Sequence, residues 1–160
     1  MFNVYLAGII DGKNIEKCHD WRNQIINTYS NWKNTQQNYG DIAFLNPLNG
    51  ETEISKDGLA SNVPPKAILD KDYNAIKNSN LFIVNMETYG VQRPPIGTLM
   101  EIAFAYEFRI PIIMITTDNV YHQHPFVSNM VSWYFESVEE MIKEKSINKF
   151  YKSCHGDQRI

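Results

Sequence analysis

Short apolar runs rich in β-forming residues alternate with helical patterns along this chain, and this alternation restricts the fold more than any other feature. The runs predicted as strands are 2–8, 41–47, 81–86 and 111–116, with a weaker one at 132–137. The helical patterns between and after them cover 14–32, 66–78, 97–109 and 137–151. Strands that alternate with helices are typical of a parallel sheet covered on both faces. The sequence therefore predicts a doubly wound, flavodoxin-like α/β fold with a five-stranded parallel sheet.

Length and composition fit one globular domain over residues 1–160. The net charge of -3 disfavours a general nucleic-acid binder, because such a protein needs basic residues to displace counterions from phosphates. No segment is apolar enough to cross a bilayer, and the first residues lack the basic start and cleavage site of a signal peptide. We therefore expect a cytoplasmic protein in which Cys18 and Cys154 are free thiols.

The ligand edge of the predicted sheet can be located from the chain order. In doubly wound folds, ligands bind outside the carboxyl ends of the strands. Here that edge comprises Gly8 and the residues after it, 46–49, 85–95, and the chain from Thr116 onward. The irregular segment 49–65 is too long for an ordinary connection, so we predict that it is a functional loop.

Several familiar ligand motifs are not matched. The segment 8–14 resembles a phosphate-binding loop, but it is one residue short and has Asn14 where the magnesium-binding hydroxyl belongs. No GxGxxG pattern follows the first strand, and the third predicted strand ends near Asn85 rather than at the aspartate of a receiver domain. The histidines and cysteines lack the usual metal-ligand spacing. We therefore expect no cofactor and no metal.

Glu101 lies between Met100 and Ile102 in an otherwise apolar stretch. A carboxylate in such surroundings must be paired, protonated or used, because its desolvation is costly. Thr98 and Glu101 have the spacing of a capping box in a first helical turn. Alternatively, a carboxylate at this helix N-terminus would face the ligand crevice and be stabilised as an anion by the helix dipole. The spacing alone does not separate the two interpretations.

Two more polar residues are predicted to reach the same edge. Tyr5 in the first strand could form a hydrogen bond with a carboxylate across the crevice, although an ordinary core tyrosine would fit the position equally well. Asp72 lies in the helix before the third strand, where it could instead be a charge favourably placed in the first helical turn. Two carboxylates and a phenol suit glycosidic chemistry, in which one carboxylate attacks the sugar carbon and another group assists departure.

Four segments carry a resemblance to a known family. They are "VYLAG" (4–8), "DYNAIKNSN" (72–80), "IGTLMEIAFA" (96–105) and "SNMVSW" (128–133). They resemble the nucleoside 2-deoxyribosyltransferases and their relatives, the 2'-deoxynucleoside 5'-phosphate N-hydrolases. The glycine-threonine-x-x-glutamate element is moderately specific by itself, whereas its combination with the other segments, in order along most of the chain, is much more so.

The resemblance implies roles for particular residues. Glu101 would be the nucleophile that takes the deoxyribosyl group as a covalent intermediate, and Tyr5 would orient it. Asp72 would contact the bound nucleoside and assist departure of the base. Asn129 would reach into a neighbouring subunit's site and hold the 5' end of the sugar, although a plain capping or surface amide is the alternative. The resemblance thus implies a homo-oligomer with shared active sites.

The residue six positions before Glu101 departs from the family pattern. Transferases of the family carry an aspartate there to hold the 5'-hydroxyl, and the hydrolases carry a serine. This chain has Pro95, whose side chain can neither donate nor accept a hydrogen bond. Ser128 would match a further serine that the hydrolases receive from the neighbouring subunit. Arg93 could hold a phosphate bidentately, although an exposed loop arginine is the commoner case.

The sequence predicts transfer of a 2-deoxyribosyl group between nucleobases through a covalent glutamyl-deoxyribose intermediate, with some hydrolysis. The alternatives are a 2'-deoxynucleoside 5'-monophosphate N-glycosidase and a nucleotide-binding module in which Glu101 is only a cap. The expected partners are a deoxynucleoside or deoxynucleotide and a free nucleobase, with no nucleic acid polymer and no membrane. The residues expected to bind substrate are Gly8, Asn49, Arg93, Gly97, Ser128 and Asn129.

Overall fold

A computed structural model describes residues 1–35, 42–49 and 63–155, and in these residues five parallel strands form one sheet. The strands are β1 (Phe2–Gly8), β2 (Ile42–Leu45), β3 (Leu81–Asn85), β4 (Ile112–Ile115) and β5 (Trp133–Phe135). All five lie within the runs predicted from the sequence. Their spatial order is β2-β1-β3-β4-β5, the order of flavodoxin-like sheets. The predicted fold class is therefore confirmed.

Helices cover both faces of the sheet. After a short 3-10 turn at Gly12–Asn14, the helices are α1 (Ile15–Thr35), α2 (Pro65–Lys77), α3 (Ile96–Glu107), α4 (Asn119–Gln123), α5 (Pro125–Met130), α6 (Val138–Lys143) and α7 (Ser146–His155). Helix α6 packs against both α1 and α7, whereas α3 packs against α2 and α5. The first group covers one face of the sheet and the second group covers the other.

Strand β1, which lies between β2 and β3, divides its side chains between the two faces of the sheet. Phe2, Val4 and Leu6 join the hydrophobic cluster shared with α1, α6 and α7. Tyr5 and Ala7 join the cluster shared with α2 and α3. Successive strand residues point to opposite faces, so this alternation follows directly from the sequence order. It places Tyr5 on the side of the sheet that carries α3.

Some helical predictions are wrong in detail. The segment 137–151 is not one helix: α6 and α7 are separated near Lys145, whose backbone is left-handed with φ 50°. The short helices α4 and α5 were not predicted, because helices of five and six residues are too short to show a helical period. The Asp118 side chain caps α4, and Pro125 begins α5.

Two predictions fall wholly or partly outside the described residues. Most of the loop predicted at 49–65 lies there, and so does the side chain of Cys154. Cys18 is buried, and its thiol donates to the Ile9 carbonyl at 3.4 Å. Of the helices that the structure describes, none combines the length and the apolar character needed to cross a membrane.

Candidate active site

A cavity of about 480 Å³ opens at the carboxyl edge of the sheet. The end of β1, helix α2, the loop after β3 and the first half of α3 contribute its walls. Its lining includes Gly8, Asp72, Arg93, Gly97 and Glu101. The cavity therefore lies at the edge that the strand order predicts for a ligand, and it brings together five of the predicted site residues.

Glu101 is the sixth residue of α3, which begins at Ile96 after the N-cap residue Pro95. Its predicted place in the first helical turn is wrong, and so is the capping box, since the N-cap receives no side-chain hydrogen bond. Thr98 is buried within the helix instead. Proline suits a helix start because its ring fixes φ and its missing N–H needs no partner there. The two prolines before Ile96 therefore start the helix earlier than the capping pattern suggests.

Tyr5 and Glu101 are joined by a hydrogen bond. The Tyr5 hydroxyl donates to Oε1 of Glu101 at 2.8 Å, as the sequence suggested. The tyrosine ring is buried and stacks on Phe82, with ring centroids 5.5 Å apart. Tyr5 and Phe82 are also paired in the register of β1 with β3. Two adjacent strands thus fix the ring, and the ring fixes one oxygen of the carboxylate.

Some surroundings of Glu101 raise the pKa of its carboxyl group, and others lower it. Burial raises the pKa of Glu101 to about 7, although the Tyr5 hydrogen bond lowers it. The negative charge of Asp72 also raises this pKa, and the positive charge of Arg22 lowers it. Burial, together with both carboxylates, raises the pKa of Tyr5 far above its ordinary value, so the phenol remains a donor. A carboxylic acid that titrates near neutrality in a cavity is typical of a functional site.

Asp72 is the eighth residue of α2, which begins at Pro65. Its predicted place in a first helical turn is therefore wrong. Its side chain is only 17% exposed and lines the cavity, with the Lys71 ammonium 4.0 Å away. Two carboxylates consequently face one cavity, and the charge of one acts on the protonation of the other.

The two predicted glycines have different structural requirements. A β-carbon at Gly8 would lie 2.9 Å from the Asn85 carbonyl oxygen and 3.2 Å from Cζ2 of Trp21. A β-carbon at Gly97 would have no neighbour within 4 Å. Close packing of backbone and side chain thus requires glycine at Gly8, whereas Gly97 leaves open space in the cavity.

Arg93 and Pro95 also line the cavity. Arg93 is exposed and donates from Nη2 to the Ile10 carbonyl at 2.9 Å. It also lines a neighbouring cavity of about 420 Å³ with Asp11 and Tyr89. The Pro95 side chain offers the cavity no polar atom that could bind a ligand.

Three predicted residues are not brought to this cavity within one chain. Asn129 lies in α5, where its amide donates to the Pro125 carbonyl at 2.6 Å. It lines a different cavity, of about 700 Å³, together with Tyr106. Ser128 precedes it in the same helix, and neither Ser128 nor the exposed Asn49 lines the Glu101 cavity.

Sequence reasoning missed Arg22. Its side chain is fully buried in α1 and donates to three backbone carbonyls, two of them near the end of β1. A signal was present in the sequence, because Arg22 lies beside Cys18, Trp21 and Ile25, whose spacing gives an apolar face in a helix. A charged residue on such a face must find internal partners.

The side chains around the cavity can support nucleophilic and acid–base chemistry. Glu101 can attack an electrophilic carbon, Tyr5 can orient it, and Asp72 can exchange a proton with a leaving group. Within residues 1–35, 42–49 and 63–155, no cluster of three or more His, Cys, Asp or Glu side chains is placed to hold a metal ion.

Comparison with known proteins gives matches at the level of structure. No protein-family model matches the chain, and no curated protein does so. A conserved protein from Enterococcus faecalis V583 matches with a TM-score of 0.63 and 15% identity, over 92% of this chain and 99% of that one. A 2-deoxyribosyltransferase from Bacillus psychrosaccharolyticus matches with a TM-score of 0.59 and 13% identity, over 87% and 89%.

A CMP N-glycosidase from Clostridium botulinum matches with a TM-score of 0.54 and 17% identity, over 91% of this chain and 98% of that one. These matches extend along nearly the whole of each chain. Identities this low establish a common fold and not a common activity. The chain therefore has the doubly wound fold that a 2-deoxyribosyltransferase and a CMP N-glycosidase share.

Proposed function

We propose that this protein cleaves the N-glycosidic bond of a deoxyribonucleoside and transfers the deoxyribosyl group to another nucleobase, with Glu101 as the nucleophile. The observation that carries the proposal is the Tyr5–Glu101 hydrogen bond of 2.8 Å in a cavity that also contains Asp72. The shared fold supports it, because two proteins with this fold are a 2-deoxyribosyltransferase and a CMP N-glycosidase. The residues and the fold thus favour the same class of reaction.

In the first step, a carboxylate oxygen of Glu101 attacks C1' of the deoxyribose. The C1'–N bond breaks, its electron pair leaves with the base, and Asp72 relays a proton from the solvent to the departing nitrogen. The Tyr5 hydroxyl occupies Oε1 of Glu101, so Oε2 is the oxygen available to attack. The product of this step is a glycosyl ester on Glu101 and a free base.

In the second step, a nitrogen of an incoming base attacks C1' and releases the Glu101 carboxylate. Asp72 relays the proton displaced from that nitrogen back to the solvent, which restores the starting state. Water can take the place of the base and then yields free deoxyribose. The ratio of transfer to hydrolysis therefore depends on how well the cavity binds the acceptor base and excludes water.

A second candidate function is hydrolysis of a nucleoside 5'-monophosphate. Arg93 favours it, because it is the only cationic side chain among the described residues that line the cavity. An arginine can bind a phosphate bidentately. The fold shared with a CMP N-glycosidase also supports this alternative. Pro95 disfavours a tightly held 5'-hydroxyl, since it removes a hydrogen bond worth about 1 kcal/mol.

The third candidate, a binding module without catalysis, has lost its main support. It relied on Glu101 as a helix cap, and the structure places this residue in the second turn, with its carboxylate bound to Tyr5. A part-buried carboxylate whose pKa is raised by desolvation, and which lines a cavity, is a candidate functional group rather than a helix cap.

We further propose that the active enzyme is a homo-oligomer in which Asn129 completes a neighbour's site. In its own chain Asn129 lines a separate cavity beside Tyr106, which is 52% exposed. Phe126 in the same helix is 72% exposed. Large exposed aromatic side chains on two packed helices, α3 and α5, are typical of a protein interface.

The test is to mix the protein with thymidine and free adenine and to separate the products by chromatography. Formation of deoxyadenosine indicates transfer, and thymine alone indicates hydrolysis. A parallel reaction with thymidine monophosphate tests the second function, and the pair should be repeated with deoxycytidine and its monophosphate. Strong preference for a monophosphate without any exchanged nucleoside would replace the first proposal by the second. No product from any of these substrates, with binding retained, would favour the binding module.

Transfer and hydrolysis can be separated further at Pro95. An aspartate at this position would supply the acceptor for a 5'-hydroxyl that the proline lacks. We expect Pro95→Asp to increase transfer from thymidine, by roughly fivefold for one added hydrogen bond. Pro94→Asp is the matched control, since it introduces the same charge one residue earlier. An unchanged or slower Pro95→Asp enzyme would argue against a nucleoside donor.

A further inference from the structure

Arg22 is the only buried cationic side chain among the described residues, and none of its surface is exposed to solvent. Burying a guanidinium is costly unless its charge and its N–H groups find partners. Within the described part of the chain, no Asp or Glu forms an ion pair with Arg22. Its partners are therefore of another kind.

All the hydrogen-bond partners of Arg22 are backbone carbonyls. Nε donates to Leu6 at 3.2 Å, Nη2 to Gly8 at 3.3 Å, and Nη1 to Cys18 at 2.6 Å. The guanidinium carbon also lies 4.4 Å from the ring centroid of Trp21, within the range of a cation–π contact. One planar group thus joins two residues of β1 to the first turns of α1.

The pairing of the sheet explains why these carbonyls need Arg22. β1 pairs with β2 only as far as Tyr5, opposite Leu45, but it pairs with β3 as far as Gly8. The Asn3 carbonyl faces the β3 side, since it accepts from the Asn80 N–H. Carbonyls alternate sides along a strand, so those of Leu6 and Gly8 face the β2 side, beyond the last residue paired with β2. Arg22 donates to both.

The overhanging end of β1, which is residues 6–8 beyond the last residue paired with β2, also forms a wall of the cavity. Gly8 lines the cavity that contains Glu101, and Tyr5 in the same strand holds the Glu101 carboxylate. We propose that Arg22 is a positioning residue for Glu101: its guanidinium fixes the overhanging end of β1 and places a permanent positive charge behind the cavity wall. This inference deepens the proposed function and rests on it.

The charge of Arg22 lowers the pKa of Glu101, as the Tyr5 hydrogen bond does, and so opposes burial and the charge of Asp72. Asp72 from α2 disfavours the anion that the attack requires, as does burial, whereas Tyr5 from β1 and Arg22 from α1 favour it. Arg93, from the loop after β3, lines the same cavity. Burial lowers the pKa of Arg22, but arginine starts so high that it remains charged at neutral pH. The carboxylate thus has a counter-charge that neither titrates nor occupies the space of the substrate.

The decisive experiment titrates Glu101 directly by NMR, using protein labelled with ¹³C at the glutamate side-chain carboxyl and Glu101→Gln to identify the signal. This readout does not require catalytic activity. Arg22→Met removes the charge and keeps the length of the side chain, and it should move the titration midpoint upward by at least about half a unit. Arg22→Lys keeps the charge and should leave the midpoint close to that of the wild type. Lys17→Met, an exposed change on the same helix, is the control.

An unmoved midpoint in folded Arg22→Met would overturn the proposal, because a merely structural arginine would have no effect on this titration. If Arg22→Met does not fold, Arg22→Lys decides the question through kinetics. It keeps the charge but loses the planar guanidinium that donates to both the Leu6 and the Gly8 carbonyl. We therefore expect kcat to fall at least about tenfold while KM changes little. A Lys variant with unchanged kcat would overturn the proposal as well. A shifted midpoint in a protein inactive on every substrate would support the role of Arg22 and refute the proposed function alone.

Discussion

The Glu101 cavity and the α5 region both contain site residues predicted from the sequence, but in the folded chain these residues line two separate cavities. Tyr5, Asp72 and Glu101 come from three separate elements and meet at one cavity within a single chain. Asn129 lines a different cavity, in a six-residue helix whose Phe126 is largely exposed. In the single chain the first region is complete with respect to its predicted residues, whereas the α5 region is incomplete, because Asn129 lies apart from them. The chemistry of the Glu101 cavity can therefore be tested separately from the association of one chain with another.

The strongest test of the complete region is Glu101→Gln. The amide keeps the shape of the side chain and can still accept the Tyr5 hydrogen bond, but it cannot attack carbon. We expect turnover to fall at least about a thousandfold while circular dichroism shows an unchanged fold. Glu107→Gln, an exposed change on the same helix, should retain activity. A Glu101→Gln enzyme with substantial activity would remove Glu101 from the mechanism.

The next test removes the hydrogen bond between Tyr5 in β1 and Glu101 in α3. Tyr5→Phe removes the hydroxyl that donates to Glu101, and we expect kcat to fall roughly tenfold to a hundredfold. The wild-type rate should rise with pH through about 7 as Glu101 ionises. The hydrogen bond lowers this pKa, so its loss should move the rising limb to higher pH by about half to one unit.

A matched control for this change exists elsewhere in the chain. Tyr134→Phe removes a similar hydroxyl, which donates to the Tyr121 carbonyl at 2.9 Å and lies outside the cavity lining. Its pH profile should match that of the wild type. If both phenylalanine variants shift the profile equally, the effect does not come from the Glu101 contact.

A smaller effect tests how tightly the cavity wall is packed. Gly8→Ala would place a methyl group 2.9 Å from the Asn85 carbonyl oxygen, so we expect the free energy of unfolding to fall by about 1–3 kcal/mol. Gly97→Ala meets no atom within 4 Å and should keep or slightly raise stability, since alanine favours helix. Urea unfolding measures both. Equal losses at the two positions would contradict the close packing at Gly8.

The incomplete region is tested by mixing two inactive proteins. Glu101→Gln and Asn129→Ala should each be inactive, and subunit exchange between them should restore activity if Asn129 acts on a neighbour. For a dimer mixed in equal amounts, half the dimers are mixed and each has one intact site, so about a quarter of wild-type activity should return. A mixture that stays inactive after exchange is verified by mass spectrometry would show that Asn129 does not complete a neighbour's site.

The fold was predictable because its signals are regular. Strand runs such as 81–86 and 111–116 alternate with helical periods over most of the chain, and parallel sheets leave few other arrangements. The contact between Tyr5 and Glu101 was also predictable, since both were placed on the ligand edge. The regular alternation of strands and helices thus made it possible to predict that Tyr5 and Glu101 lie close together.

The start of α3 and the burial of Arg22 were not predictable in the same way. The capping pattern at Thr98 competes with two prolines just before it, and only the folded backbone shows which one begins the helix. The need for Arg22 arises because β2 ends before β1 does, and strand ends are the least certain part of any sequence-based prediction. Local details that depend on where elements end are therefore seen only in three dimensions.

The two prolines that precede α3, Pro94 and Pro95, affect the motion of this helix as well as its position. Two proline rings restrict the unfolded chain here, so ordering this segment loses less conformational entropy than it would for most other residues. The turn that carries Glu101 should therefore open rarely, and its amide hydrogens should exchange slowly compared with those of the short helices α4 and α5. The Glu101 carboxylate would then keep its orientation even when no ligand is present to order it.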